Sequence, residues 1–447
     1  MGESDSANAL TSGLEKALAR VGLGAPEELT RLTGGATMES WRFEADRRAY
    51  VLRRAPSLAF MKDRPFGHDS EAAIIRAAHK AGVTAPEVVV ELEESDGIGS
   101  GFIMRALPGT PDPRRILTST SPAQVVSEAA TNLARIHSLT AADLPDDVPA
   151  LDYRDGVEKL REQFEEAGGD RPIIALGLRW LLDNLPEPIE PVLNHGDFRL
   201  GNLLVENSEL TGVLDWELAH FGDYHEDLAF GCMPVWRFGA YDRPALGLGT
   251  LEDYFAAYEA AGGKQVDAAR FRFWTVYRTV WWALGCIRMA DFWRRGEDRM
   301  LERVVISRRT SENELDLLLL LDDDLAQGIV DEERSPAAEL DLGEANTAEL
   351  AEAVLEWLAT IKEQMRGHDR FQLAVARNAL GMIAREHRIL PRAIDCEVAA
   401  DILAGRRDMA SDPAVMRLRR DALDKIEADV PKYPSLAVAR SKWLGEM

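Results

Sequence analysis

The sequence predicts an α+β protein in which a small sheet precedes a mainly helical region and a final all-helical segment. Residues 29–107 contain short β-prone runs and one helical pattern, at 69–80. Beyond residue 108, apolar residues mostly recur at spacings of three and four, which is the period of an amphipathic helix. A chain of 447 residues is long enough for roughly two to four domains.

Changes in sequence character divide the chain into four segments. Residues 1–107 form the first predicted domain and residues 108–325 form the second. Residues 326–345 are acidic and carry little periodic pattern, which predicts a linker. Residues 346–447 are helical throughout in their pattern, which predicts a separate helical domain.

Several helices can be placed more closely. One long helix is predicted over 266–295 and another over 298–322. Asn346 followed by Glu349 predicts a capping box at the start of the last domain. The helix that follows is expected to hold its apolar residues on one face, namely Leu350, Val354, Leu355, Leu358, Ile361 and Met365. The first ten residues lack the apolar run of a signal peptide, and we expect them to fray.

Charge and cysteine content exclude several classes of protein. Lys and Arg number 52 against 76 Asp and Glu, so the net charge of −24 opposes nonspecific binding to nucleic acid or to an anionic membrane. The three cysteines lie far apart without a CxxC pair, so neither a disulfide scaffold nor a structural zinc site is expected. No apolar run is long enough to span a bilayer. We therefore expect a cytoplasmic protein.

The chemically informative stretch lies among three short apolar runs at 191–195, 202–206 and 211–216, which predict a hairpin with a loop at its head. Asp197, Asn202 and Asp215 stand in this region. Phosphoryl transfer from ATP needs a carboxylate that orients the acceptor hydroxyl and oxygen ligands that hold Mg²⁺ on the phosphates. We therefore assign Asp197 as the catalytic base or hydroxyl-orienting group, and Asn202 and Asp215 as metal ligands.

Other interpretations of these residues stay open. Asp and Asn are common in turns, which explains any one of the three but explains the ordered set poorly. His195 is expected to hold the loop by packing and hydrogen bonding, and Glu217 to support the metal ligands. A metal-dependent hydrolase would instead use His195 and Asp197 together with His220, Asp223 and His225. The five-residue spacing of His220 and His225 suits one helix face poorly.

The His-Gly-Asp-x5-Asn and Asp-Trp-Glu motifs resemble those of the aminoglycoside phosphotransferase and choline kinase superfamily, and the resemblance covers residues 20–325. It implies a bilobal protein-kinase-like fold that uses ATP and Mg²⁺. Arg53 stands where that family usually has the phosphate-binding lysine, with Glu71 as its ion-pair partner, and Asp227 braces the catalytic loop. The resemblance also places nucleotide-contacting residues in two further segments, Gly34-Gly35-Ala36-Thr37 in the covering loop and Met104-Arg105-Ala106 at the adenine hinge.

The acceptor is predicted from finer resemblance. The first 325 residues resemble the branch fused to acyl-CoA dehydrogenases and the bacterial 4-hydroxyacyl-CoA kinases, and residues 346–447 resemble a small helical family that accompanies such kinases. A hydroxyacyl-CoA thioester is therefore the favoured small-molecule substrate. One alternative is that the acceptor is an aminoglycoside or another small alcohol. The other is that the protein is a pseudokinase scaffold that binds nucleotide without turnover. Seven arginines within 288–309 suit either the phosphates of coenzyme A or a solvated helix face. The oligomeric state is left open.

Overall fold

The computed structural model describes residues 3–32, 38–55, 64–330 and 345–446. The chain forms two compact units. The first comprises residues 1–152, 188–232 and 236–271, and the second comprises residues 153–187, 233–235 and 272–447. The predicted boundary after residue 107 lies inside the first unit, and part of the predicted second domain belongs with the C-terminal helices.

Nine strands form within the described residues, and they make three antiparallel sheets. The strands are β1 (Glu27–Arg31), β2 (Glu39–Ala45), β3 (Arg48–Ala55), β4 (Val88–Glu91), β5 (Ser100–Arg105), β6 (Val192–Asn194), β7 (Leu203–Glu206), β8 (Glu209–Val213) and β9 (His220–Gly222). The first five make one sheet in the order β1-β2-β3-β5-β4, as predicted for a small N-terminal sheet. The predicted hairpin is only partly correct, because β7 pairs with β8 but β6 pairs with β9.

Sixteen α-helices lie in the described ranges. They are α1 (Glu3–Arg20), α2 (His68–Lys80), α3 (Pro113–Ile116), α4 (Pro122–Ile136), α5 (Tyr153–Glu166), α6 (Pro172–Asp183), α7 (Tyr224–Phe230), α8 (Leu251–Ala260), α9 (Ala268–Arg294), α10 (Leu301–Ser307), α11 (Thr310–Leu320), α12 (Thr347–Thr360), α13 (Gly367–Ile389), α14 (Cys396–Leu403), α15 (Pro413–Asp429) and α16 (Pro434–Leu444). The predicted helices over 69–80 and 266–295 correspond to α2 and α9.

The N-terminus contradicts the prediction that it frays, because α1 begins at Glu3. Leu10, Leu14 and Leu18 recur at the helical spacing and are buried. They belong to one apolar cluster with Phe43 and Tyr50 of the sheet. Burial of one face, rather than intrinsic propensity, therefore stabilises this helix.

The other face of the sheet packs against helices of the first unit. Ile74 and Ile75 of α2 and Phe102 of β5 join residues of α4 and α8 in one apolar cluster. The register of β3 on β5 sets Val51 opposite Met104 and Arg53 opposite Phe102. The sheet thereby positions the residues predicted to contact a nucleotide.

The helix predicted over 298–322 is two helices, α10 and α11, separated at Arg308 and Arg309. The hydroxyls of Ser307, Thr310 and Ser311 each donate to a backbone carbonyl three residues earlier. Such side-chain bonds compete with the helical ladder, which accounts for the interruption. The sequence pattern of apolar spacing did not reveal it.

The last segment begins as predicted but packs differently. Asn346 caps α12 with Glu349 in a reciprocal capping box. The expected apolar face is wrong in part, because Leu350 and Val354 are exposed, while the small residues Ala348 and Ala351 are buried in a cluster with Ala384 of α13. No helix in the described ranges is both long and apolar enough to cross a membrane.

We expect Arg419→Met to destabilise the second unit. This buried guanidinium donates to Asp322 Oδ1 at 2.8 Å and to the carbonyls of Ala326 and Gly328. Removing one partner of a buried ion pair costs up to about 3–5 kcal/mol of unfolding free energy. Here Asp322 loses its buried cation and keeps the exposed Lys442, at 2.7 Å. Urea unfolding followed by circular dichroism measures the loss.

The matched control is Arg440→Met, which removes a half-exposed pair with Glu427 at 3.0 Å. Surface pairs contribute little, so this variant should unfold close to the wild type. Equal loss of unfolding free energy in both variants would show that the buried Arg419 contributes no more to stability than the surface Arg440.

Candidate active site

The backbone of the loop after β6 is held by one buried carboxylate. Asp227, in the first turn of α7, accepts the N–H of His195 at 2.6 Å and the N–H of Gly196 at 2.8 Å. Burial would raise the pKa of Asp227, but hydrogen bonds and charge from His137 and His195 hold it below its ordinary value. The bracing contact predicted for Asp227 is thus present in the structure.

His195 links this loop to the segment that follows β8. Its ring lies fully buried, its Nε2 donates to the carbonyl of Leu214 at 3.0 Å, and its Nδ1 accepts the N–H of Asp197 at 3.2 Å. Leu214 in turn donates its N–H to the carbonyl of Asn202 at 2.8 Å. Burial lowers the pKa of His195, so the ring is neutral and organises the loop.

Asp197 is a partly buried carboxylate, with 14% of its side chain exposed, and its oxygens accept hydrogen bonds from two residues. Arg199 contacts it through Nε at 2.8 Å and Nη2 at 3.2 Å, and Asn202 Nδ2 donates to it at 2.6 Å. Burial raises the pKa of Asp197 to about 6, against the charge of Arg199 and the bond from Asn202. At neutral pH this carboxylate is ionised, yet it remains close to its titration range.

Arg199 is a residue that the sequence interpretation did not single out. Its guanidinium also lies over the ring of Trp236, 4.2 Å from the centroid. Both contacts fix a planar cation beside Asp197. The sequence did contain a signal, namely a cation two residues after Asp197 and inside the motif itself.

A second cluster gathers three carboxylates around Arg53 of β3. Arg53 Nε lies 3.0 Å from Glu71, and its Nη2 lies 2.8 Å from Asp215 and 2.6 Å from Glu217. Burial opposes the charge of Arg53, but these carboxylates raise its pKa, so it stays cationic. Arg64, also missed in the sequence, contacts Glu217 and reaches Glu71 at 3.3 Å.

Asp215 occupies a strained position. Its φ is +68°, in the left-handed region that residues other than glycine adopt rarely. Strain of this kind persists only where the surroundings enforce it, and it concentrates at functional sites. Here the contact with Arg53 and the adjoining bond between Leu214 and Asn202 supply that constraint.

Asn202 from the first cluster and members of the second border one cleft, whereas Asp197 is not among its lining residues. A cavity of about 660 Å³ is lined by Arg53, Glu71, Asn202 and Asp215, together with Met104, Arg105 and Ala106 of the predicted hinge. Apolar side chains complete the walls, among them Val51, Ile75, Phe102, Leu204 and Leu214. Gly34, Gly35, Ala36 and Thr37 lie outside the described residues, so their predicted role stays a prediction.

The hydrolase alternative lacks its metal site. Across the described ranges, no group of three or more His, Cys, Asp or Glu side chains could hold a metal ion. His225 instead pairs with Asp223 at 2.6 Å, and His220 pairs with Glu226 at 3.0 Å. Asn202 and Asp215, the predicted metal ligands, both line the cleft.

Comparison with known proteins decides the class. The family described as the phosphotransferase enzyme family matches residues 28–267, which is more than half of the chain. The chain belongs to this family. The match includes the sheet, the loop of Asp197 and the bracing helix α7, so this phosphotransferase has the enzyme class that the motifs predicted.

Two curated relatives of the phosphotransferase are named as acyl-CoA dehydrogenase family members. This chain is 32% identical over 261 residues to acyl-CoA dehydrogenase family member 10 of Mus musculus, and the match covers 52% of this chain and 24% of that protein. It is 27% identical over 256 residues to family member 11 of Rattus norvegicus, covering 52% of the chain and 32% of that protein. The chain thus spans about a quarter to a third of the length of these relatives.

A solved structure confirms the fold. A protein from Ralstonia eutropha JMP134, assigned as an aminoglycoside phosphotransferase, matches the phosphotransferase with a TM-score of 0.57 and 19% identity. The match covers 71% of this chain and 98% of that one. The predicted kinase-like fold, with a small antiparallel sheet and a mainly helical remainder, is therefore correct.

We expect Gly196→Ala to disrupt the loop that carries Asp197. Gly196 has a φ of +83°, and an added Cβ would clash with the carbonyl oxygen of Leu218. The backbone must then shift away from Asp227, which weakens the two charge-assisted hydrogen bonds that the N–H groups of His195 and Gly196 donate to it. Thermal unfolding should begin at a lower temperature. Gly239→Ala, at another positive φ but with open space around it, is the control for backbone strain alone.

Proposed function

We propose that this phosphotransferase is an ATP- and Mg²⁺-dependent kinase that phosphorylates a hydroxyl group of a small molecule, most suitably a hydroxyacyl-CoA thioester. The observation that carries the proposal is the partly buried Asp197, which has a pKa raised to about 6 and accepts a hydrogen bond from the amide of Asn202, a residue that borders the cleft. Such a carboxylate suits the acceptance of a proton near neutral pH.

The cleft supports the assignment of a nucleotide. Its volume of about 660 Å³ lies within the range of small-molecule sites, and its apolar walls suit a purine. Arg53 supplies a partly buried cation at the same cleft for the phosphates. Its planar fork contacts three carboxylates at once, which a lysine ammonium would do less well.

The residues present fit a magnesium ion. Asp215 offers a carboxylate, and Asn202 offers its amide oxygen, since its amide nitrogen is already engaged with Asp197. Mg²⁺ prefers hard oxygen ligands of this type, few in number. When bound, the ion would neutralise phosphate charge. Arg53 and Arg64 hold the neighbouring carboxylates in place.

The chain's own residues account for the proton and the orientation of the acceptor. The oxygen of the acceptor hydroxyl forms a bond to the γ-phosphorus of ATP, and the hydroxyl proton passes to an oxygen of Asp197. At the same time the bond between the γ-phosphorus and the bridging oxygen breaks, which releases ADP. Arg199 and Asn202 orient Asp197 through its two oxygens. His195 and Asp227 keep the loop in position.

The acceptor is inferred from the relatives and from the resemblance of residues 346–447 to an accessory family of hydroxyacyl-CoA kinases. The names of the relatives refer to acyl-CoA chemistry. Phosphorylation turns a hydroxyl into a better leaving group for a later elimination. An aminoglycoside acceptor is the alternative. A pseudokinase is disfavoured because Asp197, Asn202 and Asp215 are all present.

The thiols support the proposed cytoplasmic location. Cys232, Cys286 and Cys396 are all free, the first two buried and the third exposed. Burial raises the pKa of Cys232 to about 11 and that of Cys286 to about 12. Unpaired cysteines suit a reducing compartment.

We expect purified protein with Mg·ATP to release ADP in the presence of 4-hydroxyvaleryl-CoA or a longer homologue, and to release less with kanamycin. Asp197→Asn should lower kcat about 10²–10⁴-fold, because the general base is lost while the cleft is kept. Asp253→Asn, which removes an exposed N-terminal helix carboxylate, is the control. Undiminished turnover by the Asp197 variant would reject its role, and ADP release with kanamycin alone would favour the alternative acceptor.

The pH dependence of kcat/KM should follow the ionisation of Asp197. Its pKa of about 6 means that kcat/KM rises with pH and levels off above about 7, since only the ionised carboxylate accepts a proton. Arg199→Gln removes a charge that lowers this pKa, so the midpoint should move to higher pH. A midpoint that is unchanged in this variant would show that another group controls the profile.

A further inference from the structure

One cation in the lining of the kinase cleft has no part in the phosphotransfer described above. Arg42 of β2 is exposed and lines the cavity of about 660 Å³ together with Arg53 and Asp215. Arg53 is held by three carboxylates. Within the described ranges, by contrast, no hydrogen bond or ion pair holds the guanidinium of Arg42. This side chain can therefore turn toward a ligand without giving up a partner.

The pairing of the strands gives Arg42 a definite position along the cleft. Arg42 stands opposite Val51 of β3, and Val51 stands opposite Met104 of β5. Directly opposed residues share one face of a sheet, and all three line the cleft. Arg42 therefore belongs to the row of side chains that ends at Met104, the first residue of the predicted adenine hinge.

The neighbouring row on the same face contains the residue proposed to contact the phosphates. Ser40, Arg53 and Phe102 are opposed in the same way, and each also lines the cleft. Residues two apart along a strand are separated by roughly 7 Å. A nucleotide with its phosphates at Arg53 and its base at the hinge therefore has its base against the row of Arg42.

The chemistry of that row suits the face of an aromatic base. A guanidinium is planar and weakly hydrated, and it stacks on aromatic rings. The same sheet already contains such contacts. Arg105 lies over the ring of Tyr50, 5.0 Å from the centroid, and Arg31 lies over Trp41 at 5.9 Å. Arg42 is a third arginine of this sheet, and no ring of the described residues is stacked on it.

We propose that Arg42 sets the affinity of the enzyme for the base of its nucleotide, by stacking its guanidinium on the purine ring. The inference rests on the proposed use of ATP in this cleft. It adds a base-contacting residue on β2 to those predicted in the covering loop and at the hinge. Because the guanidinium has no ion pair to break, the contact costs the folded protein none of its own interactions.

The variant to test is Arg42→Met, which keeps an unbranched side chain and removes the planar cation. The matched control is Arg48→Met. Arg48 is exposed at the start of β3, opposite Ala45, and lies outside the described lining of the cleft. Both substitutions remove one exposed positive charge from the same hairpin, so they change the long-range attraction for phosphate alike. Circular dichroism checks that both variants fold as the wild type does.

Three probes separate the base from the phosphates. Mg·ATP has both parts, adenosine has the base alone, and magnesium tripolyphosphate has the phosphates alone. Isothermal titration calorimetry with the full chain measures Mg·ATP directly, and displacement of Mg·ATP measures the two weaker probes. We expect Arg42→Met to raise the Kd of Mg·ATP and of adenosine by about threefold to thirtyfold, the range of a cation–π contact, and to leave tripolyphosphate unchanged. Arg48→Met should match the wild type with all three.

Two results would overturn the role of Arg42 while leaving the proposed kinase function standing. One is equal affinity of the two variants for Mg·ATP. The other is a loss seen with Mg·ATP and tripolyphosphate but not with adenosine, which would assign the cation to the phosphates instead of the base. A wild-type protein that bound no Mg·ATP would overturn the proposed function itself, and this inference with it.

Discussion

The buried carboxylate of Asp227 is the interaction on which the candidate site depends. Two backbone N–H groups, of His195 and Gly196, converge on it, so the chain that leads into Asp197 has little freedom. A buried carboxylate is costly unless it is fully hydrogen-bonded. His137 supplies a further contact at 3.3 Å and is itself bonded to Tyr258, which extends the support into the helical core.

The second organising principle is the balance of charge around Arg53. Glu71, Asp215 and Glu217 would repel one another if they were gathered without cations. Arg53 contacts all three and Arg64 contacts two of them, so the carboxylates are held together within the cleft. The structure therefore explains why position 53 is an arginine, because the guanidinium fork bridges carboxylates that a single lysine ammonium would not reach equally well.

Local signals predicted the parts of the site that lie close together in sequence. Asp197 and Asn202 stand on one loop, and turn and strand patterns set Asp215 nearby. Arg64 could not be predicted in this way, because its partner Glu217 is 153 positions away and no periodic pattern marks it. Its role becomes visible only in the folded chain, where it contacts both Glu71 and Glu217.

The fold shows the same division between local and tertiary information. Apolar spacing predicted α2 and α9 closely, and the capping residues predicted the start of α12. The burial of α1 against the sheet, and the pairing of β6 with β9 in place of a simple hairpin, depend on contacts between distant segments. Propensity does not carry such information.

The unequal surroundings of the three thiols make this protein convenient for site-specific labelling. A maleimide reacts with the thiolate form, and burial of Cys232 and Cys286 both blocks access and suppresses that form. Only Cys396, at the start of α14, is exposed to a dye. A single fluorophore can therefore be attached to the natural sequence without removing any other cysteine.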